Sequence, residues 1–443
     1  MIDERVSTHC LIPTKLTALL LAALVFAPAA RAELQIDITK GVTDPIPIAV
    51  VPFGREAPEP GSFDYAAVVQ HDLDGSGRFR TMDRPHIRTQ PTRAADVAVA
   101  DWHADGQDYV LVGRVATGMN SGIDCELVNA LTGQLLGTRH VANDANNPRA
   151  MAHQISDFVY EKIIGTRGAF STRIAYVAVD GTPPAQRFQL IVADADGENS
   201  QVVLDSHQPI MSPAWSADGR WLAYVSFESR APAVIVQELR SGERRQVSAR
   251  AGVNGAPAWS PDGKKLALTL SGSGGNLDIY LLDLGTQALT RITDDPAIDT
   301  EPAWSSDGTQ IYFTSDRSGG PQIYKTDVAT HQRVQRITFG SSYNARPRIS
   351  PDGRLLALVS REGSDYRIAV QELASGNIRV LTRGSLDESP CFAPNGMSLI
   401  YAGHSGNRGM LATVAIDGLV SQQLKSDRGE VREPVWGPFP KGP

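Results

Sequence analysis

Cysteine is nearly absent: the 443 residues hold three, and Cys10 lies in an N-terminal stretch that reads as a leader, which leaves Cys125 and Cys391. Two thiols so far apart, in what read as separate domains, are expected to be buried and free, and a disulfide scaffold is excluded. No Cys-x-x-Cys, no His-Glu-x-x-His and no pair of histidines at ligand spacing occurs, so neither a metal site nor any other cofactor is expected. Gly-x-Ser-x-Gly is missing as well; the nearest stretch, Gly403-His404-Ser405-Gly406-Asn407, fails at Asn407, which disfavours the propeller-bearing serine peptidases. There is no basic excess: 42 Lys and Arg stand against 49 Asp and Glu, a formal charge of −7, so nucleic acid is a poor partner.

Long apolar runs are also lacking. The longest, Leu16 to Ala27, falls well short of the ~20 residues that span a bilayer. Arg5 and Lys15 precede it and Ala30-Arg31-Ala32 follows, the pattern of a cleaved secretory leader over residues 1–32, with the mature chain starting at Glu33. Cys10 has no lipobox before it, so a lipid anchor is not expected, and the mature protein should be exported and not membrane-spanning.

What the chain does have is a repeat. Pro213-Ala214-Trp215-Ser216-Ala217-Asp218-Gly219 returns at Pro257 to Gly263, at Pro302 to Gly308, at Pro347 to Gly353 with Ile349 for Trp, and at Pro390 to Gly396 with Phe392 and Asn395. A truncated sixth copy is Pro434-Val435-Trp436-Gly437. A period near 44 residues suits one four-stranded propeller blade and is too long for ankyrin or leucine-rich units. Each copy reads as a short first strand, a tight turn with Gly at positive φ, and an apolar return strand such as Leu266 to Leu270. Strands of that second type occur six times, beginning with Ile174 to Val177, which has no Pro-x-Trp phrase ahead of it. The last phrase, at Pro434, has no second strand behind it. The C-terminal strand therefore completes the first blade, giving a six-bladed β-propeller over 166–443 without long exposed edges.

Residues 33–165 lack the repeat. Leu34 to Ile38 alternates like an edge strand, Ile46 to Phe53 is a second strand, and Ser62 caps a helix from Phe63 to Leu73. Asp108 to Ala116, Ile123 to Ala130 and Gln134 to Val141 read as strands, the last two joined as a hairpin through Thr132-Gly133. From Pro148, Ala152, Ile155, Val159 and Ile163 share one helical face. These make a small α/β N-terminal domain.

Asp72, Asp74, Ser76 and Asp83 sit at calcium-loop spacing, with Gly77 in the sixth position. Asp in place of the final Glu, Arg78 and Arg80 inside the cage, and a strand-like Phe79 to Thr81 make this a helix end and turn instead. The recurring Asp218, Asp262, Asp307, Asp352 and Asn395 are turn chemistry. Function is expected where the repeat stops repeating, in the segments before each Pro-x-Trp phrase, which converge on one channel mouth and mix Met, Tyr, Ile, Arg and acids. A second reading stays open, a secreted propeller hydrolase, glycosidase or peptidase-related, with Glu301, Asp387 and Glu388 as the acids that a two-carboxylate glycosidase would use.

The order of segments, together with Gly41 to Asp44 running into Ile48 to Phe53, Asn254-Gly255-Ala256-Pro257-Ala258, Phe313 to Arg317 and Glu433-Pro434-Val435-Trp436, resembles the TolB family, periplasmic propeller proteins of the Tol-Pal system. The similarity covers essentially the whole mature chain. It implies a non-enzymatic periplasmic protein with two partners, and a role in outer-membrane integrity and envelope constriction during cell division. The lipoprotein Pal would bind the propeller mouth, with Asn254, Gly255, Ala256, Thr300, Glu301, Tyr343, Asn344, Arg346, Asp387 and Glu388 as candidate contacts. TolA would pair with the mature N-terminal strand, Glu33, Leu34, Gln35, Ile36, Asp37 and Ile38, by β-augmentation. Other outer-membrane proteins are further candidate partners. Val253 departs from the pattern, which has histidine there, and removes whatever contact or pH sensitivity that histidine would supply.

Overall fold

The structure is a computed structural model that describes residues 44–440, apart from 56–61, 118–120, 273, 332, 407 and 425–428. The leader and the strand expected at Leu34 to Ile38 lie outside the described residues.

The first part is a mixed five-stranded sheet. In chain order its strands are β1 (Ile46–Val50), β2 (Phe79–Thr81), β3 (Tyr109–Ala116), β4 (Gly122–Asn129) and β5 (Leu135–Ala142). Across the sheet they run β2-β1-β3-β4-β5, with β1 parallel to both neighbours and the β3-β4-β5 meander antiparallel. Alternation along β1 sends Ile48 and Val50 to one face and Ala49 and Val51 to the other. On the first face lie α1 (Tyr65–Gly75) and α3 (Pro148–Ile164), joined to the sheet through Leu73, Met151, Ile155 and Val159. The second face is closed by Trp102 of the short α2 (Val99–Ala104), which the sequence pattern did not reveal.

Helix α3 follows its periodicity: Ala152, Ile155 and Val159 are fully buried, Pro148 opens the first turn, and Asn147 caps it by accepting from the Ala150 amide. Helix α1 starts two residues later than expected. Its cap is Asp64, not Ser62, because the Asp64 carboxylate accepts from the Ala67 amide while Arg84 holds it in place. The calcium-like stretch is dispersed as expected of a helix end: Asp72 turns inward on α1, and Asp74 accepts from the amide and hydroxyl of Thr81 on β2.

The second part is a ring of six four-stranded antiparallel blades. The last strand (Glu430–Trp436) pairs with Arg173–Asp180 in the register Glu430 with Val179 through Trp436 with Ile174, so the chain's end closes blade one. The turns recur with the sequence. Ser216, Ser260, Ser305 and Ser350 each donate to the Asp two residues on, at 2.5–2.6 Å, and the following Gly sits at φ between +69° and +75°.

The inner strands correct one expectation. They are longer than the Pro-x-Trp phrase: Ile210–Trp215, Asn254–Trp259, Asp299–Trp304, Asn344–Ile349 and Glu388–Phe392 in blades two to six in turn, and Glu430–Trp436 in blade one. The segments before each Pro are therefore mostly strand, and each inner strand carries a bulge at the residue before Pro and the Pro itself. Proline cannot donate to a ladder, so it falls where pairing is interrupted. The residue before it takes positive φ in all six blades, at Ser212, Ala256, Glu301, Arg346, Ser389 and Glu433 (φ +45° to +57°), none of them glycine. Each costs roughly 1 kcal/mol of backbone strain, which the surrounding ring must offset.

Candidate functional site

The bulge sorts the approach to each Pro into three structural positions. Three residues before Pro, the side chain is buried: Ile210, Asn254, Asp299, Asn344, Asp387 and Val431. One residue before, the αL bulge holds the set just named. Four residues before stand Pro209, Val253, Ile298, Tyr343, Leu386 and Glu430, apolar in five blades of six, with Val253, Ile298 and Leu386 exposed by 40%, 47% and 45%.

The ten mouth residues singled out from sequence thus separate. Asn254, Asn344 and Asp387 are 2% exposed or less and act on the loops. Asn254 accepts from the Ser248 hydroxyl and the Arg250 amide and donates to the Arg250 carbonyl. Asn344 donates to Gln322, and Asp387 accepts from the Gly384 amide. Burial pushes the Asp387 carboxyl above its ordinary range. Gly255, Ala256, Thr300, Glu301, Tyr343, Arg346 and Glu388 remain partly open at the mouth.

Arg346 of blade five organises the charges. Its Nε lies 3.2 Å from Glu301 Oε1 of blade four, and its guanidinium reaches blade six, donating to the Ser389 hydroxyl with Glu388 at 3.9 Å. Burial works against its charge, but Glu301, Glu388 and Glu433 together hold its pKa above the usual value. Bulge amides are satisfied across blades. Arg346 N donates to Glu301 Oε2 at 3.0 Å, Ser212 N to the Glu433 carboxylate, and Glu301 N to Thr269 Oγ1 at 3.2 Å. Burial raises the Glu433 carboxyl, opposed by the Ser212 amide and by Arg346. Glu301 and Glu388 are thus engaged with one arginine, and Asp387 is buried under its own loop, an arrangement unlike a free acid pair flanking a glycosidic bond.

Sequence reasoning missed the apolar rim as a set, because only the bulge register shows that the fourth residue before each Pro is equivalent. It also missed a buried cluster at the other end of the propeller, formed by residues far apart in the chain. His153 of α3 donates from Nδ1 to Asp72 of α1 at 2.7 Å, and Ser156 donates to the same oxygen. Its Nε2 faces Asp194 and Asp196 of blade one at 3.8 and 3.9 Å, and Arg149 is paired with Asp196. Burial alone would depress the imidazole; the Asp72 charge, the nearby Asp194 carboxylate, the hydrogen bond to Asp72 and the Asp196 charge hold it at about 10. Asp72, His153 and Asp196 are close enough to bracket an ion, but Arg149 and the imidazolium already supply the cationic charge. With Arg78–Asp417 at 3.1 Å and Asn395 donating to the Arg167 carbonyl, this cluster fixes the α/β part to blades one and six. Asp194 ends a strand of blade one, and Asp196, Asn395 and Asp417 lie on turns, all at the Pro-x-Trp end, away from the mouth.

Fold and site define a class: a closed six-bladed propeller joined to an α/β domain, with a repeated structural scaffold and a mouth where apolar and charged side chains that do not repeat are displayed. Residues 34–136 match the family model for the TolB amino-terminal domain, and residues 160–440 match the TolB beta propeller domain. The chain is 50% identical over 416 residues to the Tol-Pal system protein TolB of Methylococcus capsulatus, covering 94% of this chain and 96% of that one. It is 45% identical over 432 residues to the protein of the same name from Thioalkalivibrio sulfidiphilus, covering 96% and 99%. Among solved structures, TolB from Acinetobacter baumannii superposes with a TM-score of 0.82 at 40% identity, covering 89% of this chain and 97% of that one. The chain belongs to the TolB family.

Proposed function

We propose that the protein is an exported, periplasmic component of the Tol-Pal system that binds partners and performs no catalysis. The carrying observation is the mouth, where exposed Val253, Ile298 and Leu386 ring a charged set locked by Arg346 on an otherwise regular scaffold. Apolar residues around a few engaged charges make a protein-docking surface. Its occupant in this reading is the lipoprotein Pal, contacted by Gly255, Ala256, Thr300, Glu301, Tyr343, Arg346 and Glu388, with Asn254, Asn344 and Asp387 shaping the loops from below. The second partner is TolA, which takes the mature N-terminal strand Glu33 to Ile38 as an added strand; this half rests on the sequence alternation and on family membership. The two sites are coupled through the ordering of that strand, and such coupling is reciprocal in free energy. The role that follows is upkeep of the outer membrane and envelope constriction during cell division.

A periplasmic pull-down with the mature chain, a Thr300→Arg variant and a form lacking Glu33 to Asp44 tests this. Wild type should recover Pal and TolA, Thr300→Arg should lose Pal, and the deletion should lose TolA while keeping Pal. Unchanged TolA recovery by the deletion form would remove the N-terminal strand from the account.

A further inference from the structure

The channel has a second chamber, at the Pro-x-Trp end, and its chemistry differs from that of the mouth. A cavity of about 380 Å³ is walled by Trp215, Trp259, Trp304 and Trp436 and by prolines of the repeat, and Arg348 opens into it. That volume lies within the range of small-ligand pockets. None of the described residues around it comes from the α/β part.

Arg348 breaks the ring's symmetry. The residue between Pro and Trp is Ala214, Ala258, Ala303, Cys391 or Val435 in the other five blades, all small or apolar. The indole of Trp259 donates to the Ala214 carbonyl of the preceding blade, and that of Trp304 donates to Ala258. Ile349 stands where the next indole would be, so the blade that brings in a guanidinium also gives up the large ring beside it. The two departures are adjacent in sequence and together make room for a cation in an aromatic wall.

That cation lacks a counter-charge nearby. Arg348 donates to its neighbour's carbonyl, Pro347 O, at 2.8 Å, and no carboxylate lies within 4 Å of it among the described residues. Cys391 is a neutral neighbour whose thiol burial pushes up. Burial correspondingly lowers the Arg348 pKa, and the charges of Glu301 and Glu433 act on it only from beyond contact. A guanidinium enclosed without an acid is costly, and its planar fork fits a carboxylate bidentately.

We infer that this chamber is a binding site for a small organic carboxylate with an apolar or aromatic body, the carboxylate on Arg348 and the body against the indoles. The site is separate from the mouth and does not depend on the partner reading. Because four indoles line it, occupancy should be read directly in tryptophan fluorescence.

The test titrates the mature chain with N-acetyl-L-phenylalanine, with its amide, and with acetate. A saturable fluorescence change with the acid, and affinity roughly tenfold or more weaker for the amide, which lacks the charge, and for acetate, which lacks the body, is the expected result. Arg348→Gln should abolish binding while circular dichroism and the melting temperature stay near wild type; Arg348→Lys, which keeps the charge without the fork, should fall between. If Arg348→Gln does not fold, the acid-to-amide ratio on wild type decides. Equal binding of acid and amide, equal binding of acid and acetate, no saturation with any probe, or an Arg348→Gln variant that titrates like wild type would each overturn the inference.

Discussion

Arg346 Nε and Glu301 Oε1 stand 3.2 Å apart across the boundary between blades five and four. Both residues occupy the αL bulge before a repeat Pro. The backbone strain of the bulge and the charge pair therefore belong to one device, in which Glu301 also accepts the Arg346 amide. Removing the arginine leaves Glu301 and Glu388 without the cation that bridges them.

Arg346→Met should accordingly destabilise the protein by roughly 1–3 kcal/mol at neutral pH, discounted for the partial exposure of the pair. Urea unfolding measures this. Glu301→Gln, which keeps acceptor capacity for the Arg346 amide, should cost less.

Asn254 is a loop-holding residue. Asn254→Ala removes its bonds to Ser248 and Arg250 inside the fold, and about 1–3 kcal/mol of stability should go with them. Thermal melting of the variant checks it; an unchanged melting temperature would return Asn254 to the surface.

How much of this was legible in the chain divides along one physical line. The Pro-x-Trp period and its truncated last copy gave six blades and the closing strand, and Pro148 with its apolar face gave α3, because those features are local patterns. The bulge was not legible: Ser, Ala, Glu and Arg do not announce positive φ, and without that register Asn254 and Asp387 look as exposed as Thr300. Likewise Asp72, His153 and Asp196 meet only through the packing of α1, α3 and blade one. The N-cap moved from Ser62 to Asp64 because Arg84, a distant residue, anchors the latter.

His153 makes stability depend on pH in a stated direction. Its folded-state pKa is raised from 6.5 to about 10, so its contribution is complete below about pH 6.5, shrinks as pH climbs, and is lost above about 10. The melting temperature of wild type should fall more steeply between pH 7 and 10 than that of His153→Gln, and the two curves should converge at the alkaline end. Parallel curves would show that the imidazole carries no such charge.

Blade one depends on the chain's end. A form truncated after Gly429 loses the strand that pairs with Arg173–Asp180, and its melting temperature should drop by roughly 10 °C or more with a broadened transition. Calorimetry of the truncated form, with and without the separate peptide 430–440 added back, measures the closure.

Calorimetric titration with the soluble part of Pal tests most directly the proposal that the mouth is the Pal-binding face. Wild type should bind saturably. Leu386→Asp and Ile298→Asp on the exposed rim should weaken binding by about tenfold or more with little change in melting temperature, and Val202→Asp, an exposed apolar position on the outer strand of blade one, should bind like wild type. Rim variants that bind as tightly as wild type, or a loss of binding in Val202→Asp alone, would contradict it.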